Sequence, residues 1–225
     1  MDRKLTRRDS LRRLAGGAVA LSGAQLLAGG GSANAAVERG LVSCVLTPEL
    51  TEGPYYVAGE KLRRDVSEGK PGTPLLLRLS VLDASRCTPI AGATVEIWHC
   101  DALGVYSGAI AGNPGTNFLR GGQRTDAKGL ATLRTIYPGW YQGRAVHIHV
   151  KVHVAGNVVH TGQLFFPAAV TSAVYAKAPY RAHGTQPDTT NAADAIYRNG
   201  GNRGMLTLKR NGTGYIASSA MGVHV

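Results

Sequence analysis

Y-P-G-W-Y-Q-G-R-A-V-H-I-H-V-K-V-H-V, residues 137–154, passes from a turn into unbroken alternation. From Val146 onward, the apolar Val146, Ile148, Val150, Val152 and Val154 alternate with His147, His149, Lys151 and His153. Period-two alternation predicts a half-buried β-strand with the odd-numbered residues on one face. His147 and His149 then point the same way, roughly 7 Å apart at about 3.3 Å per residue, close enough to converge on one metal ion. Tyr141 and Arg144 stand just upstream, so the stretch reads as a metal site with a cation beside it. Taken alone, H-x-H on a strand reads by default as a solvated polar face, and Lys151 supports that plainer reading. A metal site needs a third and a fourth ligand from elsewhere.

The rest of the chain is strand-like as well. Short β-branched runs occur at 74–82, 93–99, 130–135, 157–166, 205–209 and 214–217. Between them lie clusters such as Asp126-Ala127-Lys128-Gly129 and Arg210-Asn211-Gly212-Thr213, the turn chemistry of β-hairpins. Strong helical periodicity is absent; one short helix is expected within 189–199, starting near Thr190 or Asn191. The expected fold is all-β, an antiparallel β-sandwich with long loops and at most one or two short helices.

Residues 1–35 read as a leader preceding one domain, 36–225. Arg3, Lys4, Arg7, Arg8, Arg12 and Arg13 come before an apolar, small-residue run that closes on Ala33-Asn34-Ala35, an A-x-A cleavage pattern. The string Thr6-Arg7-Arg8-Asp9-Ser10-Leu11 resembles a twin-arginine export signal, which implies export to the periplasm or beyond. The apolar run is too short and Gly-rich for a membrane anchor. Without the leader, 190 residues remain with a net charge of +7. That field suits anionic aromatic ligands, whereas the scattered Lys and Arg and the lack of a binding motif argue against nucleic acid. Three cysteines fit one disulfide plus one thiol. Cys44 and Cys87 both lie in loop-like sequence and are the expected pair, leaving Cys100 packed in the interior.

Two tyrosines complete a candidate ligand set. Tyr106 lies between Gly104 and Gly108, and Tyr141 follows Pro138-Gly139, a turn able to re-aim a side chain. Two phenolates with two imidazoles suit Fe(III): phenolate is a hard anionic donor, and a trivalent ion draws off the phenol proton far below its usual pKa of about 10. Fe(II) oxygenases use two histidines and a carboxylate instead.

With these residues in place, the chain resembles the intradiol ring-cleavage dioxygenases, the family of protocatechuate 3,4-dioxygenase and catechol 1,2-dioxygenase, and in particular their small exported members. The resemblance runs over 46–223. It rests on T-P-E-L-T-E-G-P-Y-Y-V (47–57), V-E-I-W-H-C-D-A-L-G-V-Y-S-G (95–108), F-L-R-G-G-Q-R-T-D-A-K-G (118–129), T-I-Y-P-G-W-Y-Q-G-R-A-V-H-I-H-V (135–150) and T-G-Q-L-F-F-P (161–167). It implies one non-haem Fe(III) per chain held by Tyr106, Tyr141, His147 and His149, the positions of Tyr141 and His147 being axial. Arg144 and Gln163 match residues that lie over the substrate ring, and Tyr141 matches a general base. Gly53, Pro54, Tyr55 and Tyr56 match substrate-pocket lining. The implied reaction splits a catechol between its hydroxyl-bearing carbons with O2, giving a cis,cis-muconate-type diacid. The long N-terminal helical dimerisation region of the catechol-specific branch is not matched, so a homo-oligomer is left open, and the loop between Tyr141 and Arg144 is shorter than in protocatechuate enzymes.

Rival readings fit less well. A cupin site wants a Glu shortly after H-x-H, and none occurs between Lys151 and Gln163. A copper–zinc sandwich would recruit His153 and His160, leaving Tyr106, Tyr141 and Arg144 without purpose. A metal-free binding module has no need of all four donors. His99 is expected to pack at a strand end, and His160, His183 and His224 to lie at the surface.

Overall fold

The computed structural model describes residues 46–59 and 61–225. The leader expected at 1–35, and Cys44, lie outside the described residues. Nine strands are found among the described residues: β1 (Pro74–Asp83), β2 (Thr88–Pro89), β3 (Thr94–Trp98), β4 (Arg120–Arg124), β5 (Leu130–Ile136), β6 (His147–Val154), β7 (Asn157–Phe165), β8 (Thr207–Asn211) and β9 (Gly214–Val223). β9 runs along one edge of β1, with β8 outside it, while β5 and β2 share the other edge. The second sheet has the order β4-β3-β6-β7. Leu75, Leu77, Leu79 and Val81 from β1 join Val95 and Ile97 from β3 and Ile148, Val150 and Val152 from β6 in one core between the sheets. Burying each such side chain contributes about 1.5–3 kcal/mol.

The expected sandwich is present, with one departure from the antiparallel pattern. β9 lies parallel to β1, from Leu75 opposite Tyr215 to Asp83 opposite Val223. The β8–β9 hairpin is local and legible, but which of its strands docks on β1, and in which direction, is a non-local choice that no turn residue encodes.

Other expectations also need correction. β6 is not half-buried: its first six residues are buried on both faces, because loops cover the outer face of its sheet. β4, R-G-G-Q-R, has no apolar alternation and owes its place to pairing with β3. The helix expected within 189–199 shrinks to α2 (Ala195–Arg198), capped by Asp194 rather than by Thr190 or Asn191; α1 (Ala168–Tyr175) precedes it and was not expected. His160 is buried, not at the surface, and a Cβ on Gly162 would stand 2.6 Å from its Nε2. It stands opposite Val152 of the core, whereas His153 reaches Glu96 on the outer face, so the two make no common site. His183 is half-buried and bonds the Trp140 carbonyl at 3.0 Å. His99 is fully buried with both ring nitrogens partnered, by Cys100 O and Thr135 Oγ1, as a packing residue should be. Among the described residues, no helix is long and apolar enough to cross a membrane.

Candidate metal centre

Register builds the floor of the site. Arg120 of β4 pairs with Trp98 of β3, Trp98 with His149 of β6, and His149 with Gln163 of β7. Partners across neighbouring strands share a face, so these four side chains form one row on the outer face of the second sheet. The Trp98 indole lies parallel to the His149 ring, at 4.9 Å and 6°. His147, one pleat along the same face, packs against Phe165.

A strap of chain, residues 50–56, crosses this row. Leu50 N donates to Thr161 O at 2.9 Å, and Gln163 Nε2 donates to Thr51 O at 2.9 Å. Glu52 pairs with the buried Lys151, whose Nζ also stands 3.4 Å above the Tyr56 ring. Gly53 covers His149: at φ +74° a Cβ there would meet His149 Cε1 at 3.1 Å. Tyr55 stacks on Tyr106 at 4.4 Å, and Tyr56 packs on Trp98 at 5.0 Å.

Two loops bring in the tyrosines. Asp101 accepts from Leu103 N and Val105 N, at 2.9 and 3.0 Å, and so shapes the turn before Tyr106; Lys70 pairs with it at 2.7 Å. Gly104 lets this loop touch the one carrying Tyr141, since at φ +84° a Cβ would stand 2.2 Å from Trp140 O. The tyrosine rings meet edge-on at 5.6 Å, Tyr141 meets His147 at 5.6 Å, and Tyr106 lies 6.4 Å from His149. All four expected donors therefore come together.

Their chemistry fits a bound cation. His147 Nδ1 must donate to Ala145 O, 2.6 Å away, so its Nε2 lone pair is free. That Nε2 faces His149 Nε2 at 3.1 Å and Tyr141 Oη at 3.3 Å. A cation placed among them would be met by both nitrogens and by the Tyr141 oxygen. Burial, reinforced by the Arg144 charge, pushes His147 down to about 3; burial and the neighbouring His147 push His149 well below its ordinary value. Both imidazoles are thus neutral, the form that ligates. Burial also raises Tyr106 and Tyr141, and Tyr106 the more. The Tyr106 Oη is buried without a hydrogen-bond partner, and the neighbouring Tyr141 hydroxyl adds to its upward shift after burial. A buried polar atom without a partner costs about 1–3 kcal/mol, and a cation at this point would offset that cost. No group of three or more His, Cys, Asp or Glu suited to a metal occurs among the described residues, so both tyrosines are needed to complete the set.

Arg144 stands beside these donors, held on three sides. Its Nε donates to Asp194 Oδ2 at 2.9 Å, one terminal nitrogen to Gln163 Oε1 at 2.5 Å, and the other approaches Tyr141 Oη at 3.4 Å. Asp194 is the residue sequence reasoning missed, 50 positions from Arg144. An Asp at the start of a helical run is an N-cap signal, but nothing in the sequence ties it to an arginine so far away. Trp98 was missed as well. Cys100 is buried and free, packed with Trp98 and Tyr106, and burial raises its thiol pKa. Cys87 is disulfide-bonded. A cleft of about 430 Å3 opens beside Tyr141, walled by Leu103, Gly104, Trp140 and His183. Gly53, Pro54, Tyr55 and Tyr56 do not line that cleft; Tyr55 touches the tyrosine pair instead.

Comparison with known proteins adds three findings. A family model described as "Dioxygenase" matches residues 51–177, more than half of the chain. Catechol 1,2-dioxygenase 2 of Acinetobacter lwoffii is 38% identical over 117 residues, covering 48% of this chain and 38% of that one. The chain therefore spans less than half the length of this relative. Among solved structures, an intradiol ring-cleavage dioxygenase from Tetranychus urticae superposes with a TM-score of 0.76 at 31% identity, covering 80% of this chain and 95% of that one. The dioxygenase domain of a dioxygenase–carbohydrate-binding fusion from a cellulolytic Streptomyces gives a TM-score of 0.63 at 30% identity, covering 80% and 99%.

Proposed function

The chain belongs to the intradiol ring-cleavage dioxygenase family, and from that premise we propose that it is a non-haem Fe(III) enzyme. Its substrate is a catechol, cleaved between the two hydroxyl-bearing carbons with both atoms of O2 entering a cis,cis-muconate-type diacid. The observation that carries this reading is the convergence of two neutral imidazoles on two tyrosines, one with a buried, partnerless hydroxyl.

Tyr106, Tyr141, His147 and His149 would hold the iron. When bound, ferric iron supplies an acceptor for catecholate electron density, which opens the ring to O2. The protein's own groups do the rest. Tyr141, the partly exposed member of the tyrosine pair, is placed to accept a catechol proton at Oη. Arg144 brings a planar, cationic guanidinium. Held by Asp194 and Gln163, it would stabilise negative charge developing on the ring, an effect typically worth a few kcal/mol for a fixed donor. The strap over His149 and Trp98 keeps water from that side. The basic leader and the disulfide-bonded Cys87 support an exported protein; recovery of the mature chain outside the cytoplasm tests this.

The test is stoichiometric. Iron-replete protein given catechol should consume one O2 for each diacid formed, with the product heavier than catechol by two oxygen atoms. Catechol left intact by iron-loaded protein would overturn the proposal.

A further inference from the structure

We propose that Asp194 is a positioning residue of the site, a single carboxylate that aims the Arg144 guanidinium and fixes, through Ala145, the ring of His147. This rests on reading the four donors as an iron site.

Asp194 is 2% exposed. Its Oδ2 accepts two hydrogen bonds, from Arg144 Nε at 2.9 Å and from Ala145 N at 2.8 Å. The first determines the arginine. A guanidinium is planar, so fixing Nε on Asp194 and one terminal nitrogen on Gln163 leaves the third nitrogen a single direction, toward Tyr141 Oη. The second determines the histidine. The peptide that follows Arg144 is held by Asp194 at Ala145 N, and the Ala145 carbonyl takes the Nδ1 proton of His147 at 2.6 Å. That bond sets the tautomer and the ring angle that present Nε2 to the site. Outer partners of this kind change metal affinity about 10–100-fold when removed.

The plainer reading is a helix cap. Asp194 Oδ1 accepts from Ile196 N and Tyr197 N, at 2.7 and 3.2 Å, and opens α2. A cap, however, uses only Oδ1, and asparagine caps as well as aspartate. Oδ2 is the oxygen turned to the site. Burial works against a charge here, yet the Ala145 N–H and then the Arg144 charge hold the carboxyl below its ordinary pKa. The cap is also packed onto the site: Tyr197 meets Phe165 edge-on at 5.1 Å, and Phe165 lies 6.0 Å from His147.

Asp194→Asn separates the two roles. Its amide oxygen can keep the cap at Oδ1, but its NH2 then confronts two donors, Arg144 Nε and Ala145 N. We expect chelator competition to show iron affinity reduced about 10–100-fold, with kcat for catechol falling at least tenfold and KM changing less. Iron affinity and kcat within twofold of wild type would overturn the proposal, whatever happens to Tm. Should Asp194→Asn fail to fold, Asp194→Glu keeps the charge but displaces it by one methylene and is read by the same two quantities in the same way. In the metal-free wild type, the Arg144 Nε–H should exchange with solvent far more slowly than that of the exposed Arg86; equal rates would overturn the proposal without any variant. A wild type that takes up no iron would remove the premise and the proposal together.

Discussion

Tyr106 and Tyr141 are the same residue type in unlike settings, and the difference assigns them unlike tasks. Tyr106 is buried, stacked under Tyr55, and its hydroxyl finds no hydrogen-bond partner. Tyr141 is partly exposed, beside the cleft and within reach of Arg144. Tyr106→Phe keeps the packing and deletes one donor, so it should cost most of the iron affinity, read by metal analysis after dialysis. Tyr141→Phe should hold iron more nearly normally and lose turnover instead, with slower substrate binding; unchanged catechol kinetics would remove its assigned role. At this scale the sequence was informative. Tyr106, Tyr141, Arg144, His147 and His149, all named from the sequence, lie together in the structure. Asp194 and Trp98 stayed hidden because their partners are set by strand register and by a loop closing over 50 residues, neither of which a local motif records.

Strand β6 shows how an element can be read correctly and its environment wrongly. Alternation placed the histidines on one face and Ile148, Val150 and Val152 on the other, and the structure agrees. What period two cannot say is whether the polar face is wet. Here the strap at 50–56 crosses it and buries Lys151, the residue that had argued for solvent. Gly53 is the point of closest approach. Gly53→Ala puts a Cβ 3.1 Å from His149 Cε1 at φ +74°, a left-handed conformation that costs an L-residue about 1–2 kcal/mol. The variant should unfold at lower temperature and bind iron more weakly, as calorimetry and chelator competition would show; wild-type values for both would mean the strap does not position His149.

Across the whole molecule, the sandwich was legible because turn clusters and β-branched runs recur along the chain. The parallel β1–β9 pair was not, since, among the described residues, it joins the first long strand to the last. Buried histidines give the fold a pH dependence of definite sign. Burial lowers His99 to about 4 and His147 to about 3, and drives His149 well below its ordinary value. Between those values and about 6.5, where unfolded histidines titrate, the unfolded chain binds more protons than the folded one. Stability of the metal-free protein should thus be level above about pH 7 and fall with acid, by up to about 1.4 kcal/mol per pH unit for each histidine. A Tm constant from pH 7 to 4.5 would contradict that sign. The central claim, a ferric ion held by two tyrosines and two histidines, is tested most directly by the visible absorption spectrum of the iron-replete protein, before and after catechol is added without oxygen. The account predicts a broad tyrosinate-to-Fe(III) band that moves to longer wavelength with catechol; a colourless protein under full iron supply would contradict it.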